Sequence, residues 1–319
     1  MVKAHWQSQS RHLPNYKILD EQKGGVLFSE GREVKFCMKK NARRTTSVIK
    51  KSDVFSTDGQ PIEGVFADMS ERLLKIQRDL LMPAFIFEKN KVQNTITFFG
   101  SARIKPESVA KKMLADVKKN PKAKDYKAKL KSAQKAVAMS KYYTCAEELA
   151  RRLQEWVNAQ HLPDEGKYYI MTGGGPGIME AANKGAFIAG GKSVGATILI
   201  SDEQHRNDYV DTSVWFDFNY FLMRKFWLLF FAKAIVVFPG GAGTLDELFE
   251  VFTLVKTHKA QGKIPMVLFD GAFWKKIVNF PALVEADVIT EKDMELLTFV
   301  DGVDEAFDTI TGAIGERLK

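Results

Sequence analysis

The stretch "AIVVFPGGAGTLDELFEVFTLVK", residues 234–256, decides how the rest of the chain is read. Five apolar residues run into a proline and a Gly-Gly-Ala-Gly-Thr turn, and a helical pattern follows. An apolar run this short, bounded by glycines, suits a strand buried on both faces of a parallel sheet. Glycines at its end let backbone N–H groups approach an anion, and the helix that follows adds partial positive charge and free donors. Thr244 adds a hydroxyl at the helix start. The carboxylates Asp246, Glu247 and Glu250 need a different role. Capping and dipole pairing account for one or two of them. Glu247, one turn past Thr244, is placed to reach a sugar attached to a phosphate held at the glycines. A carboxylate there stabilises an oxocarbenium-like centre or activates water.

The same strand–turn–helix grammar recurs upstream. "KYYIMTGGGPGIMEAANKGAFIAGG" (167–191) carries Gly173, Gly174, Gly175 and Gly177. "TITFFGSAR" (95–103) ends in Gly100, Ser101 and Arg103. "SVGATILI" (193–200), "TSVWF" (212–216) and "IPMVLFD" (264–270) read as further strands, with helical segments from there to the C-terminus. Strands alternating with helices predict an α/β fold, a doubly wound parallel sheet with helices on both faces. Ligands then bind beyond the carboxyl ends of the strands. Neither GxGxxG nor a Walker A loop is met. "AFIAGGKS" (186–193) lacks the first glycine and lies between helix and strand in the wrong order. "FNYFLMRKFWLLFFAKA" (218–234) is apolar yet carries Arg224 and Lys225 at its centre. Snorkelling explains such residues; an arginine aimed at a phosphate, a ribose or a departing base explains them equally well.

Residues 1–90 form an N-terminal extension, irregular at first, with a helix over 70–87 that Ser70 caps. Residues 91–319 form the ligand-binding domain. Between Pro106 and Val157 the pattern is helical, broken near "NPKAKD" (120–125). An apolar content of 45 % is ordinary for a globular chain with a core. No apolar window is long enough to span a membrane, and the first residues lack the apolar core of a secretory signal. Cys37 and Cys145 read as free thiols of a reducing cytoplasm. The histidines at 5, 12, 161, 205 and 258 form no metal-binding pattern. The net charge of +8 is concentrated between Lys105 and Lys135, where eleven lysines face three acids. A solvated helical face accounts for that run. RNA binding by stacking would want interleaved aromatics, and the segment has only Tyr126, so no nucleic-acid partner is expected.

Taken together, these motifs resemble the LONELY GUY family of nucleotide phosphoribohydrolases, long labelled "lysine decarboxylase-like". The family's PGGxGTxxE stands complete at Pro239–Glu247. Its upstream glycine motif resembles Gly173–Glu180, its arginine–lysine motif Met223–Arg224–Lys225, and the segment "SDEQHRNDYVD" (201–211) resembles one carried by longer bacterial members. The resemblance covers roughly residues 95–310. It implies a Rossmann-like fold, a homodimer or larger assembly, no cofactor, and cleavage of a nucleoside 5′-monophosphate such as AMP or a cytokinin riboside monophosphate. Arg224 and Glu247 take the catalytic positions. Gly240, Gly241, Gly243 and Thr244 take the phosphate positions. Glu203, Lys225, Asp246 and Thr253 lie near the ligand, with the two upstream glycine turns. The histidine of the short plant-type motif is absent before Met223. Two other readings use the same residues: a non-catalytic nucleotide- or cofactor-binding carrier, and a pyridoxal-phosphate decarboxylase with Lys259 as its Schiff-base lysine.

Overall fold

The computed structural model describes residues 15–17, 27–30, 33–36, 63–199, 206–260 and 264–318. The chain divides into two compact units, Met1–Phe66 and Ala67–Lys319. In the first, strands β1 (Asn15–Lys17), β2 (Leu27–Glu30) and β3 (Glu33–Phe36) form a small antiparallel sheet in that order.

The second unit is built on seven parallel strands. They are β4 (Asn94–Phe99), β5 (Tyr168–Thr172), β6 (Ser193–Ile198), β7 (Trp215–Phe218), β8 (Ala232–Val237), β9 (Met266–Phe269) and β10 (Leu297–Val300). Their order is β10-β9-β8-β4-β5-β6-β7, all paired in parallel. The chain winds outward from β4 in one direction, then returns to β8 and winds out in the other. This is the doubly wound, Rossmann-like α/β arrangement, and its switch point lies between β4 and β8.

Alternation along the strands supplies both faces of the sheet. Ile96 and Phe98 of β4, with Ile170, Val236 and Val267, face one core. There they meet α3 (Tyr126–Ala159), α4 (Ile178–Ile188) and α10 (Val303–Leu318) through Leu149, Leu153, Ala182 and Ile310. Phe99, Met171, Ile235 and Leu268 face the other core. It is covered by α5 (Phe221–Phe230), α6 (Ala242–Lys256) and α7 (Gly271–Ile277) through Trp227, Leu228, Leu248 and Trp274. Short helices α8 (Phe280–Glu285) and α9 (Glu291–Met294) precede β10. The helical region after β4 is divided as the sequence suggests, into α2 (Glu107–Lys118) and α3, with the break at 119–125.

Three local expectations change. The helix expected over 70–87 runs from Glu63 to Lys89, as α1, so Ser70 lies inside it and caps nothing. It belongs to the second unit from Ala67 onward, anchored by Phe87 against Phe216, Trp227 and Phe231. "TSVWF" divides into a 3-10 turn, Thr212–Val214, and a strand that begins at Trp215. The region after residue 270, expected to be helical throughout, contains β10, which pairs with β9 at the sheet edge. Among the described residues no helix is long and apolar enough to cross a membrane.

Candidate functional site

Three adjacent central strands, β8, β4 and β5, end in the three glycine turns. The backbone laces those turns together. Phe238 N donates to Phe99 O at 2.9 Å, Ser101 N to Pro239 O at 3.2 Å, and Ile178 N to Ser101 O at 3.1 Å. Gly177 makes this possible: its φ is 76°, and a side chain there would run into Ser101 O. At the third turn Gly241 caps α6, and Gly241 and Gly243 are exposed. The first backbone N–H groups of a helix have no partner within it, so this end of α6 presents donors and partial positive charge outward. Thr244 is buried beneath the turn.

Arg224 is buried, 7 % exposed, in the middle of α5. Its Nε donates to Ala196 O at 2.7 Å, and its Nη1 lies 3.2 Å from Glu247 Oε1. Its Nη2 fills the space that a Cβ at Gly173 would occupy, so that glycine is required by the guanidinium. The arginine therefore bridges three elements: strand β6, the glycine run after β5, and the first turns of α6. Glu247 is partly buried, at 13 % side-chain exposure. Burial raises its pKa above the ordinary carboxylate value, against the lowering pull of Arg224. A partly buried carboxylate held by one arginine and poised to take a proton is a combination expected of a functional site.

Lys225 points elsewhere. Its Nζ lies 3.0 Å from Asp246 Oδ2 and 2.8 Å from Glu250 Oε2. Partial burial lowers its pKa, but the two carboxylates outweigh that and raise it. These three residues, with Thr253, Leu245 and Phe249, line an open groove of about 740 Å³ on the outer face of α6. Helical spacing explains the separation: Thr244, Glu247, Leu248 and Val251 turn inward, while Asp246, Glu250 and Thr253 turn outward. Of the residues singled out in the sequence, Arg224, Glu247, Thr244 and the three glycine turns share one locus. Lys225, Asp246 and Thr253 form the groove beside it. Arg103 is exposed, its backbone N–H donating to Ser101 Oγ at 3.1 Å. Glu203 lies outside the described residues.

Several residues that support the site were not singled out in the sequence. Asn207 Nδ2 donates to Gly174 O, Gly175 O and Asn183 Oδ1, each at 3.0 Å. Thr172 Oγ1 donates to Asn183 Oδ1 at 2.7 Å and accepts from Gly174 N at 2.8 Å. This buried network fixes the glycine run after β5. Its one legible signal was Asn183, a polar side chain on the apolar face of "IMEAANKGAF".

A second hollow, about 660 Å³, lies at the opposite, amino edge of the sheet, between Gln154, Asn158, Tyr168 and Lys192. The carboxyl edge is the better candidate, because the ion pair and the free helix terminus both lie there. Among the described residues no group of three or more His, Cys, Asp or Glu side chains is placed to hold a metal ion.

Residues 179–310 match the family model described as "Possible lysine decarboxylase". No curated protein gives a significant match. The solved structures to which the chain is similar include three of low sequence identity. A structural-genomics target designated TM1055 is 21 % identical, with a TM-score of 0.42, over 69 % of this chain and 99 % of that one. A molybdenum cofactor binding protein from the phototrophic bacterium Rippkaea orientalis is 20 % identical, with a TM-score of 0.38, over 54 % and 88 %. A Moco carrier protein from Chlamydomonas reinhardtii is 17 % identical, with a TM-score of 0.41, over 70 % and 99 %.

Proposed function

We propose, for a chain whose residues 179–310 match the possible-lysine-decarboxylase model, that the site hydrolyses the N-glycosidic bond of a nucleoside 5′-monophosphate. The products are free base and ribose 5-phosphate. The observation that carries this reading is the Arg224–Glu247 pair set beside the free amino end of α6. The phosphate sits on the backbone donors of Gly241, Ala242 and Gly243, and the ribose extends toward Glu247. As the bond from C1′ to the base breaks, positive charge develops on the sugar and the carboxylate stabilises it. Water attacks C1′; Glu247 accepts its proton, and the departing base takes up a proton. A raised pKa suits a general base that must hold a proton briefly near neutral pH. Arg224 holds Glu247 in position and offers its remaining donors to the phosphate or the base.

The family description invites a pyridoxal-phosphate reading, but the residues give it little. Lys259 is exposed beyond the end of α6, and Lys225 is committed to two carboxylates. The same proposal includes a homodimer. α1 leaves Leu73, Leu74, Leu80 and Phe85 exposed, and α5 leaves Leu222 and Phe226 exposed. Exposed large apolar side chains gathered on two helices are what supports that association.

The test is a panel of purine and pyrimidine nucleoside 5′-monophosphates, each paired with its nucleoside, with released base separated by chromatography. Release from a monophosphate but not from its nucleoside supports the phosphoribohydrolase and identifies the base. Stoichiometric retention of a nucleotide with no release would replace it with a carrier.

A further inference from the structure

α3 is too long for the sheet it covers. Its 34 residues span about 51 Å, whereas the six residues of β4 span about 20 Å. The core side chains of α3 run from Tyr142 to Val157. Two contacts mark where the sheet ends. Tyr142 donates its hydroxyl to Asp270, the residue just past β9, and Tyr143 OH donates to Glu180 Oε1, in the first turn of α4, at 2.8 Å. Residues 126–141 therefore project about 24 Å beyond the carboxyl edge, where α2 packs against them to form a helical hairpin.

The hairpin carries the charge of the molecule. Residues 105–135 hold eleven lysines and three acids, and that surplus of eight equals the net charge of the entire chain. The remainder of the protein is formally balanced. Three of these lysines are paired: Lys111 with Glu107, Lys119 with Asp116 and Lys129 with Asp125. Lys112, Lys118, Lys124, Lys127, Lys131 and Lys135 have no ion-pair partner among the described residues and are exposed. Lys127, Lys131 and Lys135 repeat every four residues, so they form one row along α3, each about 6 Å further along the helix axis than the last. Self-repulsion in such a row is unfavourable, and an extended polyanion relieves it.

We propose that this hairpin docks the phosphate backbone of RNA without reading its sequence. Phosphate contacts position a nucleic acid and need only cationic donors, so the lack of aromatics in the segment removes base stacking and leaves backbone binding intact. A lipid surface fits less well, because membrane-surface helices pair basic residues with an apolar face. The only large exposed apolar side chains here are Val109 and Met113, both on α2. An acidic protein partner would need anchoring pockets, and the hairpin contributes no residue to the grooves described above. This proposal is independent of the chemistry assigned to Arg224 and Glu247.

The experiment is fluorescence anisotropy of a short labelled single-stranded RNA of mixed sequence, titrated with full-length protein between about 50 and 200 mM salt. Binding is expected to weaken with salt, log K falling by about 0.7 per log unit for each phosphate neutralised. A Lys127→Glu, Lys131→Glu, Lys135→Glu variant should lose at least tenfold in affinity at low salt. A triple Lys→Arg variant should retain binding. Circular dichroism and thermal unfolding check that both stay folded. No binding of the wild type at low salt, or unchanged affinity in the glutamate variant, overturns the proposal. Sedimentation with phosphatidylserine vesicles in place of RNA forms the second arm. Capture by vesicles without RNA binding also overturns it, in favour of a membrane.

Discussion

At the scale of single residues, the Arg224–Glu247 pair makes the sharpest predictions. Glu247→Gln keeps the shape and an acceptor for Arg224 but removes the charge. It should lower turnover of the monophosphate by about 10²–10⁴-fold in a protein that remains folded. Its effect on stability has a definite sign. Burial raises the folded-state pKa of Glu247 above its unfolded value, so over the interval between those values the native state binds more protons than the unfolded state. Stability is therefore full below the unfolded pKa and falls as pH rises through the folded one. Urea unfolding from pH 4 to 8 should show that fall in the wild type and a flatter profile in Glu247→Gln; parallel profiles would contradict it. Gly173→Ala tests the packing around Arg224. The added methyl occupies the place of Nη2, and an ångström of displacement is enough to cost about 10²-fold in rate. Unchanged kcat/KM in a folded Gly173→Ala protein would separate that glycine from the site. Glu247 was legible in the sequence because its spacing from Thr244 is local. The partner of Arg224 was not, since 23 residues separate the pair and only the sheet brings them together.

At the scale of elements, α1 and α5 depend on each other. Pro83 lies inside α1 and has no N–H, so the carbonyl of Asp79, four residues earlier, lacks its helical donor. Trp227 Nε1 of α5 supplies one at 3.0 Å. In return the Asp79 carboxylate, 2 % exposed, accepts from Asn219 N, Asn219 Nδ2 and Tyr220 N at 2.8, 2.8 and 3.1 Å. It thus caps the start of the helix that carries Arg224, and its charge suits that helix end. Asp79→Ala should lower stability by about 2–3 kcal/mol in urea unfolding, because it strands buried donors. A loss within about 0.5 kcal/mol, as for an ordinary surface change, would contradict the cap. The sequence indicated a helix here through Leu73, Leu80 and Leu81, but periodicity cannot tell a helix that covers a core from one that leaves those leucines exposed. Nor could it place Asp79, whose partners lie 140 residues away. The missed β10 has a related cause. Four residues at a sheet edge, with Thr298 and Phe299 half-buried, give no alternation strong enough to interrupt a helical reading.

At the scale of the whole molecule, the apolar surfaces of α1 and α5 predict association of two copies. Sedimentation velocity should give a dimer, and Leu80→Asp with Phe226→Asp should give a folded monomer. A wild-type monomer at micromolar concentration would contradict it. The doubly wound sheet was legible because each glycine turn announces its strand and helix locally. The strand order was not, since it depends on which strands pair across long separations. That order has a consequence for how the chain is made. β4 is synthesised early, yet one of its two neighbours is β8, where Thr95 stands opposite Ala232. Until that later segment emerges, the future centre of the sheet is an edge, with Ile96, Phe98 and Phe99 beside an unpaired backbone. Such an edge invites pairing with another chain, and contacts this distant in sequence form slowly. A nascent or truncated chain that ends before β8 would hold two of the three glycine turns and neither α6 nor Glu247. It would be prone to aggregation and would lack the Arg224–Glu247 pair until α6 had been made.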